Sequence, residues 1–161
     1  MQTKLIILLA FLFSAAFSAS NVTVITSNQA QLQLHVAISS LTIDDLKPIN
    51  VLIGLPDDIY PELQVQMNNK KGISIISEQI NTAQVEWKQL QKLRGLWVGT
   101  LQITPGTNGI DNGQIFCEMS ITVNFTGQSA ASNSNLNDAI LASKVLNWSV
   151  AKYWIQTKNN K

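Results

Sequence analysis

Apolar and polar residues alternate with a period of two along much of the chain. Ile115, Cys117, Met119, Ile121, Val123 and Phe125 fall on one face of a segment whose other face carries Glu118, Ser120, Thr122 and Asn124, with Phe116 as the one apolar exception. Successive side chains of a strand point to opposite sides, so this pattern predicts a strand over Ile115–Phe125 with one face buried. Leu32, Leu34, Val36 and Ile38 alternate with Gln31, Gln33, His35, Ala37 and Ser39 in the same way. Shorter or less regular runs predict further strands at Val22–Ile25, Val51–Leu55, Leu63–Met67, Ile73–Ile76, Val85–Trp87 and Leu96–Ile103.

Residues that tolerate tight or left-handed backbone separate these runs. Leu55-Pro56-Asp57-Asp58, Asn68-Asn69-Lys70-Lys71-Gly72 and the stretch from Pro105 to Gly113 are turn sequences. The last predicts a hairpin joining Leu96–Ile103 to Ile115–Phe125. Seven or eight short strands without an intervening helical period predict a mostly β fold, an antiparallel, jelly-roll-like β-sandwich over residues 19–126. After Phe125 the composition changes. Residues 127–135 are rich in Gly, Ser, Ala and Asn and read as a linker. In residues 136–161, Leu136, Ile140, Leu141 and Val145, then Val150, Tyr153 and Trp154, recur at helical spacing, with Ser149 as a candidate N-cap. One or two short helices are expected there, either packed on the sandwich or leading to another body.

The first 18 residues follow a different rule. Lys4 precedes an unbroken apolar run from Leu5 to Phe13, and the small residues Ser14, Ala15, Ala16 and Ser18 follow. That order is the one of a secretory signal peptide, cleaved after Ser18 or Ala16. The run is too short for a membrane span, which needs about 20 apolar residues. The expectation is a secreted, periplasmic or cell-surface protein, without a membrane span once the signal is removed. About 143 of the 161 residues then remain, enough for a single ordinary domain.

A net charge of +1, from 11 basic and 10 acidic side chains, offers no long-range field for nucleic acid or an anionic membrane, and neither is expected as a partner. The single cysteine cannot form an internal disulfide, although an exported chain would be permitted one. That absence favours a bacterial source. The sequons at Asn21, Asn124 and Asn147 are then coincidences of a composition rich in Asn, Ser and Thr.

Candidate chemistry is sparse. A cysteine hydrolase needs a thiolate and an imidazole within hydrogen-bond reach. If the alternation holds, Cys117 points into the core and His35 to solvent, so they cannot form a dyad. Asp44-Asp45 and Asp57-Asp58 are the only carboxylate pairs, and adjacent residues in turns ordinarily cap and hydrate. No metal, no cofactor and no catalytic residue is assigned, and no phosphate-binding or nucleophile-elbow motif is present. Trp87 and Trp97 lie in predicted strands and are expected in the core. Trp148 and Trp154, if exposed, would mark an interface. Arg94, the only arginine, sits in what reads as a loop ahead of a strand, where a single projecting cation suits the acidic specificity pocket of a protease.

Three stretches resemble the N-terminal propeptide domain of gingipain-type cysteine peptidases, including the sortase-like relatives of the type IX secretion system. They are Val51-Leu52-Ile53-Gly54-Leu55-Pro56 with Leu63-Gln64-Val65; Leu93-Arg94-Gly95 through Val98, Leu101, Ile103 and Pro105 to the Ile115–Phe125 strand; and Leu141 to Trp154. The resemblance implies a non-catalytic prodomain that inhibits a cysteine peptidase, or assists its folding, in cis or in trans. It implies a basic residue in a loop ahead of the final hairpin as the inhibitory element, with Arg94 and then Lys92 as candidates. The family's peptidase domain has no counterpart in the sequence. The alternative is a structural or adhesive β-sandwich of the cell envelope, docked through Trp148 and Trp154.

Overall fold

The alternating segments pair into two antiparallel sheets. The computed structural model describes residues 19–40, 42–68, 83–106, 109–111, 114–126 and 138–155. Among them the strands are β1 (Ala19–Ser27), β2 (Gln31–Ser40), β3 (Ile49–Leu55), β4 (Glu62–Met67), β5 (Gln84–Leu93), β6 (Leu96–Thr104), β7 (Gly109–Asp111) and β8 (Gln114–Asn124). Two short helices follow, α1 (Ala139–Lys144) and α2 (Trp148–Ala151), the second running into a 3-10 turn over Lys152–Trp154. The expected signal peptide, the strand at Ile73–Ile76 and the linker over residues 127–135 lie outside the described residues.

One sheet has the order β1-β2-β8-β4, with β7 paired to β8, and the other has the order β3-β6-β5. From β2 to β5 the chain alternates between the sheets. β6 then enters between β3 and β5, and β8 between β2 and β4. This is a wound sandwich of the jelly-roll kind, in which the last long strands occupy the centres.

The core follows from the alternation. Leu32, Leu34 and Val36 of β2 and Cys117, Met119, Ile121 and Val123 of β8 are at most 1% exposed, facing Ile53 and Leu55 of β3 and Leu101 and Ile103 of β6. Each such aliphatic contributes about 2 kcal/mol by leaving water. The opposite face of the β2–β8 sheet is polar and hydrogen-bonded across strands, as from Gln31 Nε2 to Asn124 Oδ1 at 3.1 Å.

Two expectations are corrected. β6 and β8 are not a hairpin, because they lie in different sheets. The connection between them crosses the sandwich and forms β7, which pairs back on β8 with Asp111 opposite Gln114. The segment ahead of Arg94 is strand rather than loop, since β5 continues to Leu93. A bulge at Lys88, where the register shifts between Trp87 and Gln89, reverses the alternation and conceals the strand's second half. Of the two placements expected for the C-terminal segment, the one on the sandwich is found. Leu141, Val145, Ala151, Trp154 and Ile155 belong to the same buried cluster as the strands.

That segment explains why β6 is buried on both faces. Leu96 and Val98, opposite in parity to Leu101 and Ile103, are also fully buried. Val98 pairs with Gly54, and a Cβ at Gly54 would collide with Ala151 Cβ. Val145 bridges Leu52 in parallel, and Leu146 N donates to Leu52 O at 2.8 Å. The segment thus covers the outer face of the smaller sheet and pairs with the free edge of β3. Its last turn brings Trp154 edge-on to Phe125 of the other sheet, with ring centroids 5.0 Å apart.

Candidate functional site

Arg94 sits at the tip of the β5–β6 hairpin. Leu93 pairs with Leu96, leaving a turn of two residues, Arg94 and Gly95, with φ of 49° and 89°. Two-residue hairpins favour a left-handed pair because it matches the twist of the strands, and the second position is an ordinary one for glycine. An arginine at the first position pays about 1 kcal/mol for a left-handed backbone. Among the described residues it is the only non-glycine with positive φ.

The guanidinium has a definite partner. Arg94 Nη1 donates to Asp138 Oδ2 at 2.8 Å, and the other carboxylate oxygen, Oδ1, accepts from the backbone N–H groups of Ile140 and Leu141 at 3.0 Å each. Asp138 is therefore the N-cap of α1, satisfying donors that the helix leaves unpaired. The Asp138 side chain is 4% exposed and that of Arg94 is 59% exposed. The Leu141 N–H, and after it the Arg94 guanidinium, hold the carboxyl below the usual carboxylate range. A depressed value means that the stabilisation is complete above the unfolded carboxylate range, and is lost as pH falls through the lowered value. One carboxylate thus fastens the hairpin tip to the C-terminal segment, while most of the arginine still faces solvent.

Lys92, the second basic candidate, lies opposite Trp97 with its Nζ 5.3 Å from the ring centroid. It is held along the strand, not at the tip. The two interface candidates part company. Trp148 is half-buried against the core. Trp154 is only 3% exposed and packs on Phe125, so it is a core residue and cannot anchor an external partner.

Cys117 and His35 occupy neighbouring strands, but the sheet lies between their side chains. Cys117 is fully buried in the core, and burial pushes its thiol up, away from the nucleophilic thiolate. His35 lies on the outer face, where its Nε2 is 3.0 Å from Glu118 Oε1. Trp87 packs against the core and donates from Nε1 to Pro61 O at 3.0 Å, while its ring stacks on Tyr60 with centroids 5.5 Å apart. Among the described residues no three His, Cys, Asp or Glu side chains gather as metal ligands, and no helix is long and apolar enough to cross a membrane.

Two residues that hold the site together escaped the sequence reading. Asp138 follows a low-complexity stretch and precedes an apolar run, which is an N-cap signal in its own right. Asn147, read as part of a sequon and of the Leu141–Trp154 resemblance, is 1% exposed, accepts from Gly54 N at 2.8 Å and donates to Gly54 O at 3.0 Å. Its amide behaves as one more strand residue on the edge of β3. Ser149, the expected cap, lies inside α2, whose N-cap is Asn147. The chain matches no family model, no curated protein and no solved structure.

Proposed function

We propose that the chain is an exported, non-catalytic module resembling a gingipain-type propeptide, which binds a cysteine peptidase in cis or in trans and inhibits it or assists its folding. The observation that carries this reading is Arg94, a lone arginine in a left-handed backbone at the tip of a tight hairpin, with its side chain 59% exposed and its guanidinium set against a carboxylate. A strained residue on a rigid turn is a common mark of function. The acidic specificity pocket of an arginine-cleaving peptidase would offer a second carboxylate of the same kind, and a charge-assisted pair in a dry pocket is strong and directional.

The test is inhibition of a gingipain-type, arginine-specific peptidase by the wild-type chain, Arg94→Ala and Asp138→Asn. Arg94→Ala is expected to weaken inhibition by about 100-fold, in line with the 2 kcal/mol or more lost with a binding hot spot. Asp138→Asn, which loosens the internal competitor, is expected to retain or strengthen it. Equal inhibition by wild type and Arg94→Ala, or none by either, would sink the reading. The alternative, a structural or adhesive envelope module docked through two exposed tryptophans, loses half of its anchor because Trp154 is in the core.

A further inference from the structure

The edges of the two sheets are not equally guarded. The edge of β3 is closed by Val145 and Asn147. The edge strand β5 carries Glu86, Lys88 and Lys92 and is bulged at Lys88, and β4 opens on Glu62. Charges and bulges of this kind keep an edge from pairing with other chains. The edge strand β1 differs. Among the described residues nothing pairs with its outer side, and from Ala19 to Ser27 it holds neither a charged residue nor a proline. Its one irregularity lies at Ile25, where the register shifts between Val24 and Thr26, so the run up to Val24 is a regular, uncharged and open edge. The core side of this edge is also incomplete. Val22 and Val24 lie beside Val36 and Leu34, which are 0% and 1% exposed, yet both are only half-buried against the core.

We infer that β1 is a self-pairing edge, on which a second copy of this chain docks antiparallel about a two-fold axis at Val22. Residues directly opposite each other in an antiparallel pair point to the same face, so the two copies can register only where core-facing residues meet core-facing residues. An axis at Val22 meets that condition and leaves the bulged Ile25 just outside the paired stretch. It sets Val22 against the partner's Val22 and Ser20 against the partner's Val24, on the side where the core is incomplete. On the outer side it sets Asn21 against the partner's Thr23. These two side chains already suit each other, since within one chain Thr23 Oγ1 donates to Asn21 Oδ1 at 3.2 Å. The two-fold repeats each contact, as an isologous interface requires. Because β1 is uncharged, no like charges meet across the axis. The paired copies form one continuous sheet in which β1 is no longer an edge. Two short strands bury little surface, so the dimer is weak and its population follows concentration.

The test is sedimentation equilibrium of the exported chain from low micromolar to submillimolar concentration, with hydrogen exchange on the same samples. A monomer–dimer equilibrium is expected, with exchange at Ser20–Val24 slowing as the dimer fills. Asn21 and Thr23 are exposed, so charges placed there should leave the fold intact. Asn21→Lys with Thr23→Lys sets lysine opposite lysine twice across the axis and should weaken the dimer by roughly tenfold or more. Asn21→Lys with Thr23→Glu sets opposite charges there instead and should restore it to wild-type strength or beyond at low salt. A dimer that both double variants weaken alike, or that neither affects, would overturn the assignment. So would a chain that stays monomeric at the highest concentration, which would leave the edge to a strand of another protein.

Discussion

Trp154 shows how a single side chain can be both a major support and a local defect. It is 3% exposed and meets Phe125 edge-on, but its indole Nε1 is buried without an acceptor among the described residues. Truncation to alanine removes a large buried ring and is expected to cost about 3–5 kcal/mol. Replacement by phenylalanine loses area but also removes an unpaired donor, whose burial costs about 1–3 kcal/mol. Trp154→Phe should therefore retain most of the stability lost in Trp154→Ala, as read from urea unfolding midpoints. Equal losses in the two variants would mean that the indole N–H is satisfied. At the same scale, Arg94 and Asp138 form a pair whose halves were not equally visible. The arginine is conspicuous as the only one in the chain, whereas the aspartate, legible as a helix cap, becomes its partner only once the fold brings residues 94 and 138 together.

At the scale of elements, the segment Val145–Asn147 closes the free edge of β3 with one backbone hydrogen bond to Leu52 and the paired amide contacts to Gly54. An open sheet edge invites pairing with other chains, and covering it is one way to prevent that. Gly54 is required here because of the close approach of Ala151. Gly54→Ala should lift the segment from the sheet, and Asn147→Ala should leave the Gly54 N–H and C=O groups unpaired, at about 1–3 kcal/mol. Faster hydrogen exchange at Leu146 and through α2 in both variants, with β8 still protected, is the expected result; unchanged exchange in both would contradict the edge-closing role.

The elements themselves were largely legible, and the reason is local. β2 and β8 bury one face each, so Leu32 to Ile38 and Ile115 to Phe125 carry the period of two in full. What was not legible depends on partners. The bulge at Lys88 reverses the face of β5 midway, so Leu90 follows Trp87 on the core side at a spacing of three, and the strand reads as a loop. The turn signals from Pro105 to Gly113 were real, but they serve a crossing and the β7–β8 pairing. Composition alone cannot separate that from a hairpin between β6 and β8. The same limit applies to Trp154, whose helical spacing predicts an apolar face without saying what it meets.

For the molecule as a whole, the C-terminal segment belongs to the core. A chain ending at Thr126 would uncover Leu96 and Val98, both fully buried in the intact protein. Such a chain is expected to unfold at lower urea concentration and to bind a hydrophobic dye, with self-association visible by light scattering. A truncated chain with an unaltered midpoint would show that the segment is an appendage.

The winding order has a further consequence for a chain that emerges from its N-terminus. β2, β3, β4 and β5 alternate between two sheets whose central strands, β6 and β8, come later. Until residue 124 is available, β2 and β4 have no common neighbour, and the larger sheet cannot be completed. Such non-local pairing delays folding. The larger sheet therefore closes late, and the sandwich is completed around its last long strand.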